Sequence, residues 1–238
     1  EGGGPVLALA FSLLTFPLDG EAQQQTTAVR IGFLGATSEA GIGTRLAAFR
    51  QGLRDLGYVE GKNLVIEFRW AEGRYERLPA LAADLVARNV AVLVTHSTPG
   101  ARAAKPATRT IPIVRVASGD AVATGVVAGI ARPGGNVTGM TFLSPEICAN
   151  GLELLKEAVP RIGRVAVLVN PDNPLRQPVV QAMRRTADSL QVELILFEAR
   201  GPHDLGTVFA GMAQSGVDAL TMIEDPVFLD HVRDLAGL

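Results

Sequence analysis

The sequence predicts an α/β protein of two lobes, each built around a parallel sheet, with the second lobe the shorter. Three observations carry that prediction. Apolar runs of strand length alternate along the chain with stretches whose apolar residues recur at helical spacing. Four of the runs are followed by a short polar residue and a proline: Ser97-Thr98-Pro99, Leu143-Ser144-Pro145, Asp172-Asn173-Pro174 and Glu224-Asp225-Pro226. The alternation then restarts after residue 160, giving a second set of the same kind. Each polar–proline pair reads as an N-cap with proline at the first helical position, where its missing N–H costs nothing. The helices therefore begin at the carboxyl ends of the strands, the edge at which an open parallel sheet receives ligands.

Taken in order, Val29 to Leu34 is a buried strand, and Leu46, Phe49, Leu53 and Leu56 mark a helix that Gly57 stops as a C′ glycine. Asn63 to Phe68 is a second strand, followed by a helix through Leu78, Leu81, Ala82 and Leu85 with Pro79 in its first turn. Val90 to Val94 is a third strand, with a short helix from Pro99 to Lys105, and Pro112 to Val116 is a fourth. The Ala/Val/Gly-rich stretch from Val122 to Ala131 reads as a helix ended by Pro133-Gly134-Gly135-Asn136, and Val137 to Phe142 as a strand leading into a helix from Pro145 to Val159. The second set comprises strands Arg164 to Val169, Val192 to Phe197 and Ala219 to Ile223, with helices from Pro174 to Leu190, from His203 to Gln214 and from Pro226 onward. Parallel strands joined in this way require right-handed crossovers and cover on both faces. The second set has fewer strands than the first and ends inside a helix, which predicts a missing C-terminal portion.

A formal charge of −2 over 238 residues, 47% of them hydrophobic, gives no electrostatic reason to bind nucleic acid or an anionic membrane. The first residues differ from the rest. Pro5 to Leu18 is almost uninterruptedly apolar and gives way to the polar Asp19-Gly20-Glu21-Ala22-Gln23-Gln24-Gln25. The run is shorter than the ~20 residues a membrane span needs, and it matches the apolar core of a secretory leader with a small-x-small cleavage site at Gly20-Glu21-Ala22. No basic segment precedes it, so the chain is expected to start within its own leader. Cys148 is the only cysteine, which excludes an internal disulfide; it reads as a packed small side chain.

Catalytic and cofactor patterns are missing from the sequence. There is no G-x-S-x-G elbow, and only His96, His203 and His231 are available as imidazole bases. His96 and Ser97 are adjacent on an extended segment and point opposite ways. Gly41-Ile42-Gly43 resembles the start of a dinucleotide fingerprint, but Leu46 occupies the third glycine position. Three scattered histidines and one cysteine give no metal spacing. The reading is a protein that is no enzyme and needs no cofactor or metal.

What remains is a set of strand-end loops rich in hydroxyls, carboxylates and small residues: Gly35-Ala36-Thr37-Ser38, Thr95-His96-Ser97-Thr98, Ala117-Ser118-Gly119-Asp120, Thr141, Asn170-Pro171-Asp172-Asn173 and Glu224-Asp225. Each reads as a helix cap or as part of a ligand site. If the ligand edges of two lobes face one another, helix-terminal N–H groups bind a carboxylate and Asp120 or Asp225 meets an ammonium. That arrangement suits an amino acid or related small carboxylate better than a sugar, since one tryptophan and two tyrosines, Trp70 and Tyr75 among them, are all the sequence offers besides Phe for stacking on a sugar ring.

Three further segments occur in order: Phe49 to Asn63 (FRQGLRDLGYVEGKN), Trp70 to Pro79 (WAEGRYERLP) and Ala131 to Gly139 (ARPGGNVTG). Together they closely resemble the family of periplasmic substrate-binding proteins of ABC transporters that includes tryptophan- and phenylalanine-binding members. The likeness runs from Val29 to Leu238, and Glu21-Ala22-Gln23-Gln24 resembles the family's cleavage region. It implies two Rossmann-like lobes of the periplasmic-binding-protein type I kind that close on a ligand without catalysing a reaction. By that likeness Ser97-Thr98-Pro99 meets the ligand carboxylate, and Asp120 and Asp225 stand at the family's strand-end aspartates. The loop from Gly35 to Ser38 holds no aromatic residue, so the implied ligand is a small carboxylate-bearing molecule and not specifically an aromatic one.

The expectations that follow are concrete. Residues 1–28 are leader, 29–136 the N-terminal lobe, 137–160 the crossover and hinge, and 161–238 an incomplete C-terminal lobe. Thr37, Ser38, Ser97, Thr98, Asp120, Thr141, Asn170 and Asp225 are the candidate ligand-binding residues. The partners are a small-molecule ligand and an inner-membrane ABC permease, with no nucleic acid, and the protein is expected to be a periplasmic monomer cleaved near Ala22. The alternatives are the ligand-sensing domain of a regulator and an enzyme on the same doubly wound fold.

Overall fold

A computed structural model describes residues 28–116, 118–142 and 144–237. The apolar leader at residues 5–18 and the cleavage position at Ala22 lie outside the described residues.

Five parallel strands make the first sheet: β1 (Val29–Gly35), β2 (Leu64–Trp70), β3 (Val92–Thr95), β4 (Ile113–Arg115) and β5 (Val137–Gly139), in the spatial order β2-β1-β3-β4-β5. Its helices are α1 (Gly43–Asp55), α2 (Leu78–Ala87) and α3 (Thr98–Ala107). Alternate strand residues serve opposite faces, so both sides of this sheet are core. Ile31, Phe33 and Val94 pack with Leu46 and Phe49 of α1, whereas Leu34 and Leu93 pack with Leu78, Ala82 and Leu85 of α2 and Ala101 and Ala104 of α3. Gly57, at φ +86°, turns the chain out of α1 as the C′ stop.

The second sheet has the order β7-β6-β8, also parallel, from β6 (Arg164–Val169), β7 (Glu193–Glu198) and β8 (Ala219–Met222). Around it lie α4 (Ser144–Ala158), α5 (Arg176–Leu190), α6 (Pro202–Gln214) and two short helices, α7 (Pro226–Asp230) and α8 (Val232–Leu235). The alternation repeats: Val167 and Val169 pack with Val179 and Met183 of α5, while Ala166 and Leu168 pack with Leu205 and Met212 of α6. Leu152 of α4 packs with Ala187 of α5 and Val165 of β6, which attaches α4 to this second lobe. Cys148 is half-buried against the α5 side of the second core.

The helix starts follow the polar–proline pairs with shifts of a residue or two. At α7 the expected arrangement holds: Asp225 is the N-cap, accepting from the Val227 N–H at 2.9 Å, and Pro226 follows. At α3 the cap is Ser97, which accepts from the Gly100 N–H at 3.2 Å, because the Thr98 hydroxyl is drawn to Ser118 and Gly119. At α4 the helix begins at Ser144 itself. At α5 Asn173 accepts from the Leu175 N–H at 2.9 Å, but regular helix starts only at Arg176.

The helix expected from Val122 to Ala131 is not formed. Asp120 Oδ1 accepts from the N–H groups of Val122 and Ala123 at 2.8 and 2.9 Å and starts a single turn. Gly125 ends it in the left-handed region at φ +69°. Val126 and Val127 then join the first core from this non-helical segment. The strand expected over Val137 to Phe142 ends at Gly139, after its pairing with Arg115.

Candidate functional site

In each sheet the chain places consecutive strands on opposite sides of the first one laid down. The crevice outside the carboxyl ends of those flanking strands is where such sheets hold ligands. In the first sheet that point lies between β1 and β3, in the second between β6 and β8. The two points meet. A cavity of about 240 Å³ is lined from the first lobe by Ile42 and Arg45 after β1, His96 to Pro99 after β3, and Ser118, Gly119 and Phe142. The second lobe supplies Asn173 and Leu175 after β6, and Glu224, Pro226, Leu229 and Asp230 after β8. At the ~30 Å³ that a water occupies in the liquid, the space equals about eight waters, the size of a compact small molecule.

Glycines allow this close approach. A Cβ on Gly119 would stand 2.3 Å from Cδ1 of Leu175, and one on Gly41 would stand 1.9 Å from a carboxylate oxygen of Asp230. Both contacts join the first lobe to the second. Between them α7 enters the joint: Val227 is buried in the first lobe's core and its neighbour Phe228 in the second lobe's. Tyr75, at the start of the turn before α2, donates its hydroxyl to Asp225 Oδ1 at 2.9 Å across the same joint.

Of the residues expected from the sequence, the cavity brings together Ser97 and Thr98. Their hydroxyls are already engaged, Ser97 by the Gly100 N–H and Thr98 by the Gly119 N–H at 3.0 Å and the Ser118 hydroxyl at 3.2 Å. The amides after Pro99 are taken as well, since Gly100 and Ala101 both donate to Ser97. The remaining candidates stand elsewhere. Thr37 and Ser38 line a second, more open space of about 520 Å³ with Arg74 and Arg200. Asp120 caps its own turn. The Thr141 hydroxyl accepts from Ala121 N–H at 2.9 Å and donates to the Gly119 carbonyl at 3.2 Å. Asn170 accepts from the Asp172 N–H at 3.0 Å.

Asp225 is fully buried. Its carboxylate accepts from Tyr75, from the Val227 N–H and from Asn173 Nδ2 at 2.8 Å, so both oxygens are spent inside the protein. Adjacent residues on an extended segment face opposite ways, and it is the preceding Glu224 that reaches the cavity.

Sequence reasoning missed Arg45 and Asp230 and carried Glu224 only as the loop neighbour of Asp225. Arg45 lies within α1, beyond the strand-end loop, and among the described residues it makes no ion pair. Burial pushes the Glu224 carboxyl above its usual range, with Arg45 opposing; Asp230 is pushed up in the same way. Burial pulls the His96 imidazole down to about 4, and the Arg45 charge acts in the same direction. A buried Arg115 holds the loop behind the cavity, donating to the Ser118 hydroxyl and the Gly119 carbonyl, each at 2.8 Å. The cavity thus sets a guanidinium and hydroxyls near two carboxylates, with apolar walls from Ile42, Phe142, Leu175 and Leu229. Among the described residues no cluster of His, Cys, Asp and Glu is suited to a metal ion.

Two doubly wound lobes meeting at their switch points around one cavity define a two-lobed binding protein of the periplasmic type I fold. The family model for "ABC transporter substrate binding protein" matches residues 33–231, and the chain belongs to that family. A tyrosine-binding protein from Clostridioides difficile is 35% identical over 123 residues, which is 51% of this chain and 35% of the relative, so the chain matches about a third of that relative's length. A conserved domain protein from Vibrio cholerae shares the structure with a TM-score of 0.79 at 27% identity, over 89% of this chain and 70% of the other. An ABC domain from Streptococcus pneumoniae, solved in complex with L-Trp, has the same fold, with a TM-score of 0.76 at 22% identity over 88% and 70%.

Proposed function

We propose that the chain is the exported solute-binding component of an ABC-type uptake system, capturing an amino acid between its lobes and delivering it to an inner-membrane permease. The observation that carries this reading is the cavity where the two switch points meet, with cationic and hydroxyl groups near carboxylates inside one small space. The Arg45 guanidinium suits the ligand's carboxylate, and Glu224 and Asp230 suit its ammonium. The relatives support the same ligand class, one being named for tyrosine and another holding L-Trp. In this reading residues 29–136 and 161–238 act as lobes, residues 137–160 as the crossover between them, and the apolar leader directs export to the periplasm, where the protein works as a monomer.

The test is a thermal-shift and calorimetric screen of the mature protein against L-amino acids, benzoate and 4-hydroxybenzoate. A ligand at 100 times its Kd stabilises the native state by about 2.7 kcal/mol. Stabilisation by amino acids above that by simple acids is the expected result. No stabilisation by any of them at millimolar concentration overturns the reading.

A further inference from the structure

The charged groups that line the cavity do not balance. Arg45 is its one cation, against the two carboxylates of Glu224 and Asp230. His96 adds no charge, since burial holds its imidazole neutral and its ring nitrogens are closed off from the cavity. Both carboxylate residues are half-buried, and among the described residues neither forms an ion pair. Asp230 also borders the open space of about 520 Å³, where Arg200, His203 and His231 stand against their own aspartates, Asp172, Asp204 and Asp234, at 3.1, 3.4 and 3.1 Å. Glu224 lies just before α7 and Asp230 is its last residue, roughly 8 Å further along at 1.5 Å per residue. Pro226, Leu229 and Asp230 share the face of α7 that lines the cavity, so an apolar strip separates the two charges. Burial raises the Glu224 carboxyl, and Arg45 is the main group opposing that rise; at Asp230, also raised by burial, other groups outweigh Arg45. The guanidinium therefore stands with Glu224, and Asp230 is left at the far end of the strip.

We propose that the cavity selects an amino acid whose side chain ends in a cation, with Asp230 as the specificity-determining residue. The proposal rests on the ligand-binding reading of the same cavity. The ligand's α-carboxylate meets Arg45 and its α-ammonium meets Glu224. Its methylene chain runs along Leu229, as the stems of long cationic side chains do on apolar surface, and its terminal cation pairs with Asp230. Charge balance decides between ligands. A zwitterion leaves one negative charge in excess among the lining groups, whereas an amino acid with one further cation brings the count to zero. An anion partly withdrawn from water without a partner is costly, and a cation that supplies the partner removes that cost. An uncharged end of similar length leaves Asp230 uncompensated, and an unpaired buried polar group discriminates more strongly than a methylene more or less.

Matched pairs that differ at the end of the side chain test this: L-ornithine against L-norvaline and L-arginine against L-citrulline, titrated calorimetrically into the mature protein and into its Asp230→Asn and Glu224→Gln variants. In the wild type the cationic member of at least one pair should bind between about tenfold and a hundredfold more tightly, a result that needs no variant to fold. Asp230→Asn, which keeps the shape and removes the charge, should bring that ratio to about twofold or less. Glu224→Gln should weaken both members of the pair and leave their ratio within about twofold of the wild type. A wild type that binds the uncharged member as tightly, or a preference that survives Asp230→Asn or is lost in Glu224→Gln instead, overturns the proposal and leaves the ligand-binding reading intact. If none of the four binds at millimolar concentration while another L-amino acid does, the proposal alone falls. If no amino acid binds, both fall together.

Discussion

Removing one oxygen atom from Tyr75 should loosen the joint between the lobes. In Tyr75→Phe the ring keeps its place in the first core, and Asp225 loses the donor at 2.9 Å while retaining the Val227 N–H and Asn173. A hydrogen bond to a charged group contributes roughly 1.5–3 kcal/mol. For a domain of 150–250 residues each kcal/mol moves Tm by about 2–4 °C, so Tm should fall by about 3–12 °C at neutral pH. The pH dependence has a definite sign. Burial raises the Asp225 carboxyl, so the folded state holds that proton to higher pH than the unfolded chain does. The group's contribution to stability is therefore greatest in acid and declines as pH rises through the raised value. Tyr75 opposes that decline by stabilising the anion. The gap between wild type and variant should be widest at neutral pH and narrow on acidification, where the neutral bond contributes only about 0.5–1.5 kcal/mol. Denaturation curves at several pH values measure it. A Tm within 1 °C of wild type at neutral pH, or a gap that widens in acid, would refute the reasoning.

Two other substitutions separate ligand contacts from structural ones. Glu224→Gln should weaken amino acids by about tenfold to a hundredfold in calorimetry, with little effect on simple acids and on ligand-free Tm. Because burial raises the Glu224 and Asp230 carboxyls, wild-type affinity for ammonium-bearing ligands should fall as pH drops through that raised range, and the Gln variant should show a shallower fall. Gly119→Ala places a methyl group 2.3 Å from Leu175 and should cost about 1–3 kcal/mol, a Tm drop of about 2–12 °C; an unchanged midpoint would show that Leu175 moves aside freely.

The strands and most helix starts were legible in the sequence because each rests on local chemistry: apolar alternation, polar caps and proline. The false helix at Val122 to Ala131 shows the limit of composition, since small apolar residues there are placed in the core by one capped turn and a left-handed glycine. The site was legible at the level of loops and not of side chains. Asp225 and Glu224 are neighbours, and only the tertiary position of Tyr75 decides which of the two turns inward to the joint. Arg45 lies inside α1, beyond the strand-end pattern of polar caps and prolines. Nothing in the sequence shows that the His96 ring nitrogens lack partners.

The short helix α7 has a consequence for recombining lobes between relatives. Consecutive side chains on it complete two different interiors, Val227 the first and Phe228 the second. A first lobe expressed alone lacks the plug for its own core, and burial of a valine-sized side chain contributes about 1.5–3 kcal/mol. A chimera cut between the lobes inherits a helix whose one face was shaped for a partner it no longer has. The unit that can be exchanged is therefore a lobe together with the opposite face of α7, and a successful graft will have to carry residue 227 with the first lobe and residue 228 with the second.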